Sequence, residues 1–236
     1  MDLKLVDPEL IPALEAIPEF DIWADLTVTR QVSLQRSQAV AATLAPISNV
    51  STLDYQVQQD SDGSVPVRVY RPVGHKENLP ALLWIHGGGY CFGSMEGDDY
   101  SVKRMVEDIG CVVISVDYRL APEFPFPVPL NDCYAALLWV FDNAHMLKVD
   151  KSSIAIGGIS AGGGLAAGLA LSAMLRDNQL DHRRHIITVI AASQSIVEAA
   201  GFGWADILLA KAARRSRLLA IASFMHRRRN LLPSAR

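Results

Sequence analysis

Cysteine is scarce in this chain: three residues in 236, at positions 91, 111 and 133. The odd number and wide spacing argue against a disulfide framework or a zinc site, so Cys91, Cys111 and Cys133 are expected as reduced, mostly buried thiols. Net charge is also small, −3 overall, which gives no reason to expect nucleic acid as a partner. No apolar run approaches the ~20 residues needed to cross a bilayer. The opening stretch "MDLKLVDPELIP" is acidic, without the basic-then-apolar pattern of a secretion signal. The sequon at Asn49 ("NVS") is therefore read as an ordinary loop. These absences together lead to the expectation of a cytoplasmic protein.

Half of the residues are hydrophobic and a fifth charged, the balance of one soluble domain with a sizeable core. The charge is unevenly spread. Residues 1–180 hold 12 Lys+Arg against 22 Asp+Glu, whereas residues 181–236 hold 10 against 3. Nine of those ten cations are arginine. The change of composition marks three segments: 1–45, 46–180 and an atypical basic tail, 181–236.

Residues 1–45 read as two or three short helices. Proline near the start of "DPEL" suits a first helical turn, and "TRQVSLQRSQAVAATLA" has helical spacing. "STLDYQVQQD" and "SVPVRVYRP" flank Asp62-Gly63, a hairpin turn signal. Three short apolar runs with little alternation follow: "ALLWIH", "CVVISVDY" and "SSIAIGG". They are expected as strands buried on both faces. Helical segments at about 98–109, 129–147 and 161–176 follow them in turn, the signature of a parallel α/β sheet. "APEFPFPVP" has too many prolines for a helix and is expected as a stiff extended loop.

In such a sheet, function gathers where strands end and helices begin. "Gly158-Ile159-Ser160-Ala161-Gly162" fits G-x-S-x-G, a sharp strand-to-helix turn that exposes the serine above the sheet. The helix that follows points its N-terminal amides at any charge forming there. A phosphate-binding loop fails on detail: no Lys-Ser/Thr follows, and the glycines miss G-x-G-x-x-G. A purely structural turn is the other alternative. At the end of the third strand, "ALLWIH", stands "HGGGY", His86 to Tyr90. Three successive glycines leave backbone N–H groups open to a carbonyl becoming an oxyanion, and each such donor is commonly worth ~3–4 kcal/mol in a transition state.

"HGGGY", "VDYRLAPEFPFPVPLNDCYAALLW" (residues 116–139) and "GGISAGGGLAAGLAL" occur together, in order, over residues 1–178. In this the chain resembles the hormone-sensitive-lipase-like branch of the α/β-hydrolases. The resemblance implies an α/β-hydrolase fold, a mostly parallel sheet with flanking helices and N-terminal cap helices, acting on small carboxylic esters without metal or organic cofactor. It implies Ser160 as nucleophile and the amides of Gly88, Gly89 and Ala161 as the oxyanion hole. Asp117, Tyr118, Arg119 and Glu123 match a motif that braces the site. Ile159 departs from the family, where aspartate is commoner at that position.

The family's catalytic acid and histidine follow later in the chain, and the resemblance stops near Asn178. Residues 181–236 carry neither motif, so the core is expected to be truncated after the nucleophile helix, as by a shifted frame, a retained intron or a misjudged gene model. Among the histidines, His75 and His145 precede strands and so sit at the edge opposite Ser160. Even a five-residue strand separates the edges by ~17 Å, beyond hydrogen-bond reach. His86 belongs to the glycine loop. His182 and His185 follow the nucleophile helix, again at the far edge, and "HIITVIAAS" could supply a sixth strand. His226 with Asp206 keeps the Ser–acid–His order, but "MHRRRN" surrounds the imidazole with arginines that oppose its protonation. The expectation is an impaired ester hydrolase. Two alternatives stand beside it: a non-catalytic small-ligand binder, and a membrane-surface protein using the basic stretch 204–229. Oligomeric state is not readable from the sequence.

Overall fold

The computed structural model describes residues 6–15, 23–59, 63–176 and 188–192. Two N-terminal helices come first, α1 (Ile11–Glu15) and α2 (Leu26–Ala42). Asp25 caps α2, its carboxylate accepting the Val28 N–H at 3.0 Å, which satisfies a donor that has no partner within the helix. The strands β1 (Val50–Gln59) and β2 (Gly63–Pro72) pair antiparallel over their whole length. The expected hairpin is thus formed, although residues 60–62 of its turn lie outside the described residues.

The alternation read from the sequence follows: β3 (Leu79–Ile85), α3 (Met95–Ile109), β4 (Val112–Val116), α4 (Val128–Asp142), β5 (Val149–Ile159) and α5 (Ala161–Arg176). A last strand, β6 (Thr188–Ala192), pairs parallel with β5. The sheet order is β1-β2-β4-β3-β5-β6, with β2 alone antiparallel to both its neighbours. Every residue of β3 and β4 is buried, because helices cover both faces of these central strands. One face packs Leu83, Ile85, Ile114, Ile156, Leu137 and Leu169 against α4 and α5; the other packs Leu82, Trp84, Val113 and Val106 against α3.

Two helix limits differ from the sequence reading. α3 begins at Met95 rather than near 98, because Ser94 Oγ accepts the Gly97 N–H at 3.1 Å and starts the helix earlier. α4 ends at Asp142 rather than 147; beyond Asn143 the chain turns, and Lys148 takes φ +50°. The three cysteines are free, with Cys111 and Cys133 buried. Burial pushes the Cys111 thiol up to about 12, so it packs as a hydrophobe. Among the described residues, no helix is long and apolar enough to cross a membrane.

Candidate active site

β5 ends at Ile159 and α5 begins at Ala161, leaving Ser160 alone at the junction with φ +55°. A non-glycine residue in the left-handed region carries about 1–2 kcal/mol of strain, and such strain persists only where its surroundings fix it. Here the fixing contact is visible. A Cβ on Gly158 would stand 2.7 Å from the Ile85 carbonyl oxygen, and one on Gly162 would stand 2.8 Å from the Ile85 carbonyl carbon. Only glycine on both sides of the turn lets α5 seat directly on the end of β3. The Ser160 carbonyl accepts the Gly163 N–H at 2.9 Å, and α5 begins directly after the serine at Ala161, where a helix N-terminus favours negative charge.

The glycine loop leaves β3 beside this turn. A Cβ on Gly87 would be 3.4 Å from the Ser160 Cβ, so the two motifs meet as the sequence order suggested. Gly88 and Gly89 take φ +121° and +59°, values open to glycine. The Gly88 carbonyl turns inward to accept the N–H of Cys91 at 3.0 Å and of Phe92 at 2.8 Å. Among the described residues no acceptor takes up the N–H of Gly88 or Gly89. A cavity of about 930 Å³ opens over Ser160, Gly87 and Gly88, with Leu34 and Arg30 of α2 and Phe124 among its walls. The N-terminal helix α2 therefore forms one wall of the cavity into which Ser160 is exposed.

Behind the loop lies a polar brace. The His86 ring is 1 % exposed and stacks on Tyr118 with centroids 4.3 Å apart. Its Nδ1 donates to the Gly87 carbonyl at 2.8 Å, and its Nε2 faces Asp117 Oδ1 at 3.9 Å. The Tyr118 hydroxyl donates to the His86 carbonyl at 3.0 Å, and Asp117 accepts the Met95 N–H at 3.0 Å. Burial pushes the Asp117 carboxyl up, a shift that the Met95 N–H and His86 partly oppose. Arg119 binds the fully buried Asp132, Nη2 to Oδ1 at 2.6 Å. In the "DYR" stretch of the sequence, Asp117 and Tyr118 thus bond to backbone groups and Arg119 to side chains, and all three also line the cavity that Ser160 shares.

The remaining histidines fall as the topology requires. The Leu79 N–H donates to the Lys148 carbonyl at 3.0 Å, so the loops holding His75 and His145 sit at the starting ends of β3 and β5. β3 covers the same span in seven residues, from Leu79 opposite Val149 to Ile85 opposite Gly158, which puts roughly 20 Å between that end and the Ser160 turn, a little more than the five-residue estimate. His75 is engaged with Glu77 at 2.9 Å. His182, His185, His226 and Asp206 lie outside the described residues. Two residues that the sequence reading did not single out bear on the site: Asp132, a buried acid of α4 that binds Arg119, and Arg30, which lines the cavity and carries no motif at all. No group of three or more His, Cys, Asp and Glu side chains is placed to hold a metal ion among the described residues.

Comparison with known proteins gives the class. The α/β-hydrolase-fold family matches residues 82–222, a span that reaches beyond Asn178, where the quoted motifs end. The chain belongs to this family, in its hormone-sensitive-lipase-like branch of esterases. It is 37 % identical over 176 residues to an arylesterase of Saccharolobus solfataricus, covering 74 % of this chain and 56 % of the relative. It is 36 % identical over 165 residues to the carboxylesterase NlhH of Mycobacterium tuberculosis, covering 70 % of this chain and 51 % of the relative. Among solved structures, a bacterial heroin esterase matches with TM-score 0.65 and 42 % identity, over 74 % of this chain and 55 % of that one. The chain spans about half the length of the relatives it matches.

Proposed function

We propose that this chain is a serine carboxylic ester hydrolase by descent and site architecture, working on small ester substrates without a cofactor, and that its turnover is impaired. The observation that carries the first half is Ser160 at φ +55° between two glycines, against a loop whose Gly88 and Gly89 amides have no acceptor among the described residues. In this reading Ser160 Oγ attacks the ester carbonyl. The developing oxyanion is received by the N–H groups of Gly88, Gly89 and Ala161, aided by the α5 terminus. Collapse expels the alcohol and leaves an acyl-Ser160, which water then hydrolyses. The names of the similar proteins, an arylesterase and a carboxylesterase, support the same chemistry.

Both steps need a base to take the proton from Ser160 Oγ and later from water. His75 and His145 stand at the wrong end of the sheet, and the His86 nitrogens are turned to Gly87 and Asp117. That leaves the 181–236 segment. Its His226, with Asp206 as acid, follows the expected order but is flanked by Arg227, Arg228 and Arg229, which disfavour the imidazolium. A serine without its base loses several orders of magnitude in rate.

Hydrolysis of p-nitrophenyl butyrate by the purified chain, beside Ser160→Ala, tests the impairment. Rates within about tenfold of the variant are expected; rates ~10³-fold or more above it would mean that a working base exists. The hydrolase reading itself is tested without turnover. A short trifluoromethyl ketone should give a ¹⁹F signal of a tetrahedral serine adduct that Ser160→Ala lacks. Binding with no difference between the two proteins would make this a ligand-holding fold instead.

A further inference from the structure

Arg30 reaches from the second turn of α2 across the cavity mouth to two separate loops. Its Nε donates to the Cys91 carbonyl, Nη2 to the Ala121 carbonyl, and Nη1 and Nη2 to the two oxygens of Glu123, all at 2.8 Å. Cys91 lies in the outer turn of the glycine loop, whose other anchors are already fixed. Tyr90 O accepts the Ala121 N–H at 2.9 Å, and the Cys91 and Phe92 N–H groups turn back onto Gly88 O. The Arg30 bond to Cys91 thus bears on the same short turn that sets the direction of the Gly88 peptide. The segment preceding α2 touches this turn too, through Trp23 and Phe92 with ring centroids 5.8 Å apart.

We infer that Arg30 is a positioning residue that holds the oxyanion loop from the cap, so that seating α2 and presenting the Gly88 and Gly89 amides are one event. A guanidinium is needed for this: its fixed planar fork satisfies two carbonyls and a carboxylate at once, which the single ammonium of lysine cannot reproduce. Glu123 holds the fork in orientation. Its carboxyl is kept down at about 2 by the hydrogen bond from Arg30, so the partner stays charged through neutral and mildly acidic pH. If Arg30 were only a surface ion-pair latch, Glu123 would matter as much as Arg30 and the loop would not respond to either.

The inference rests on the hydrolase reading only for its effect on chemistry; its effect on the loop is independent. Hydrogen exchange of the full chain, read peptide by peptide, is the first test. In Arg30→Ala and Arg30→Lys, exchange over residues 88–93 should rise about tenfold, the change expected for a lost structural hydrogen bond. In Glu123→Gln, which leaves both carbonyl bonds in place, the rise should stay in α2. Millimolar ethylguanidinium added to Arg30→Ala should restore protection over 88–93. Unchanged exchange there in both Arg30 variants, or an equal rise in Glu123→Gln, overturns the proposal. The second test is the trifluoromethyl ketone adduct, which Arg30→Ala should weaken by up to about 100-fold through loop misplacement. An adduct absent from the parent chain would count against the hydrolase reading, and the exchange result alone would then decide the role of Arg30.

Discussion

Gly162, in the first turn of α5, lies against the carbonyl group of Ile85 at the end of β3, so that any Cβ there would stand 2.8 Å from the carbonyl carbon. That contact is backbone on backbone, and neither partner can rotate away. Gly162→Ala is therefore expected to lose about 2–3 kcal/mol, the upper range for overpacking a tight contact. Gly164→Ala, one turn position on, meets the Tyr90 hydroxyl at 2.7 Å, the far end of a 43 % exposed side chain that can move. Its cost should be largely offset by the roughly 1 kcal/mol of helix propensity gained. Urea denaturation of the two variants checks the contrast. Equal losses would mean that the close strand–helix seat is not what fixes the turn.

The strain at Ser160 gives a readout that needs no substrate. Ser160→Ala keeps a Cβ at φ +55° and keeps the strain, whereas Ser160→Gly releases it. After the entropy that glycine gains in the unfolded chain is deducted, Ser160→Gly should be about 1 kcal/mol more stable than Ser160→Ala. Thermal melts of the pair in one buffer measure this difference. A glycine variant that melts below the alanine variant would show the turn to be unstrained.

The parts of this molecule governed by local chemistry were legible before any coordinates. Unbroken apolar runs marked the strands that are buried on both faces, and G-x-S-x-G between a strand and a helix located the serine turn. "HIITVIAAS" is β-rich enough to supply a sixth strand, and Thr188–Ala192 within it forms β6. What the sequence could not display were pairings across long separations. Arg30 meets Cys91, Ala121 and Glu123 only because α2 folds over the sheet ends, and nothing in "TVTRQVSLQR" signals that. The Arg119–Asp132 pair was missed for another reason. Asp132 is the buried one of two acids in a mostly apolar helix, and its partner is set by the loop between β4 and α4. Helix limits shifted where a single capping bond, Ser94 to Gly97, outweighed propensity.

That buried pair carries a stability prediction. Asp132 is fully buried, accepts the Arg119 backbone N–H at 2.9 Å and takes a further bond from Gln59 Nε2 at 2.9 Å. Removing the carboxylate takes the charged acceptor from the Arg119 guanidinium, which keeps Gln59 Oε1 at 3.2 Å, and the acceptor from the loop amide. Asp132→Ala should cost about 3–5 kcal/mol, the usual penalty for breaking one side of a buried pair. Asp132→Asn, which retains one acceptor oxygen, should cost less. A chemical-denaturation series in which both variants fall within about 1 kcal/mol of the parent would mean the pair is not an anchor of the fold.

Asp117 sets a pH dependence of the opposite sign to the surface carboxylates. Burial raises its carboxyl above the ordinary range; Glu96 adds to the rise, while the Met95 N–H, His86 and Arg68 oppose it. Between its unfolded and its raised folded value the native state holds the extra proton, so stability falls as pH rises through that window. Asp54 beside Arg68, and Glu77 and Glu123 held at about 2, act the other way and lose their contribution only as pH falls toward acid. Asp117→Asn removes the titration of this half-buried group, and its amide oxygen can still accept the Met95 N–H. The variant should therefore melt above the parent at neutral pH, and the gap should narrow steadily as the buffer is taken down toward the ordinary carboxylate range. Melting temperatures of the two proteins across a pH series decide it: a gap that is constant with pH, or that favours the parent at neutrality, would mean that the Asp117 carboxylate is stabilised as an anion where it stands.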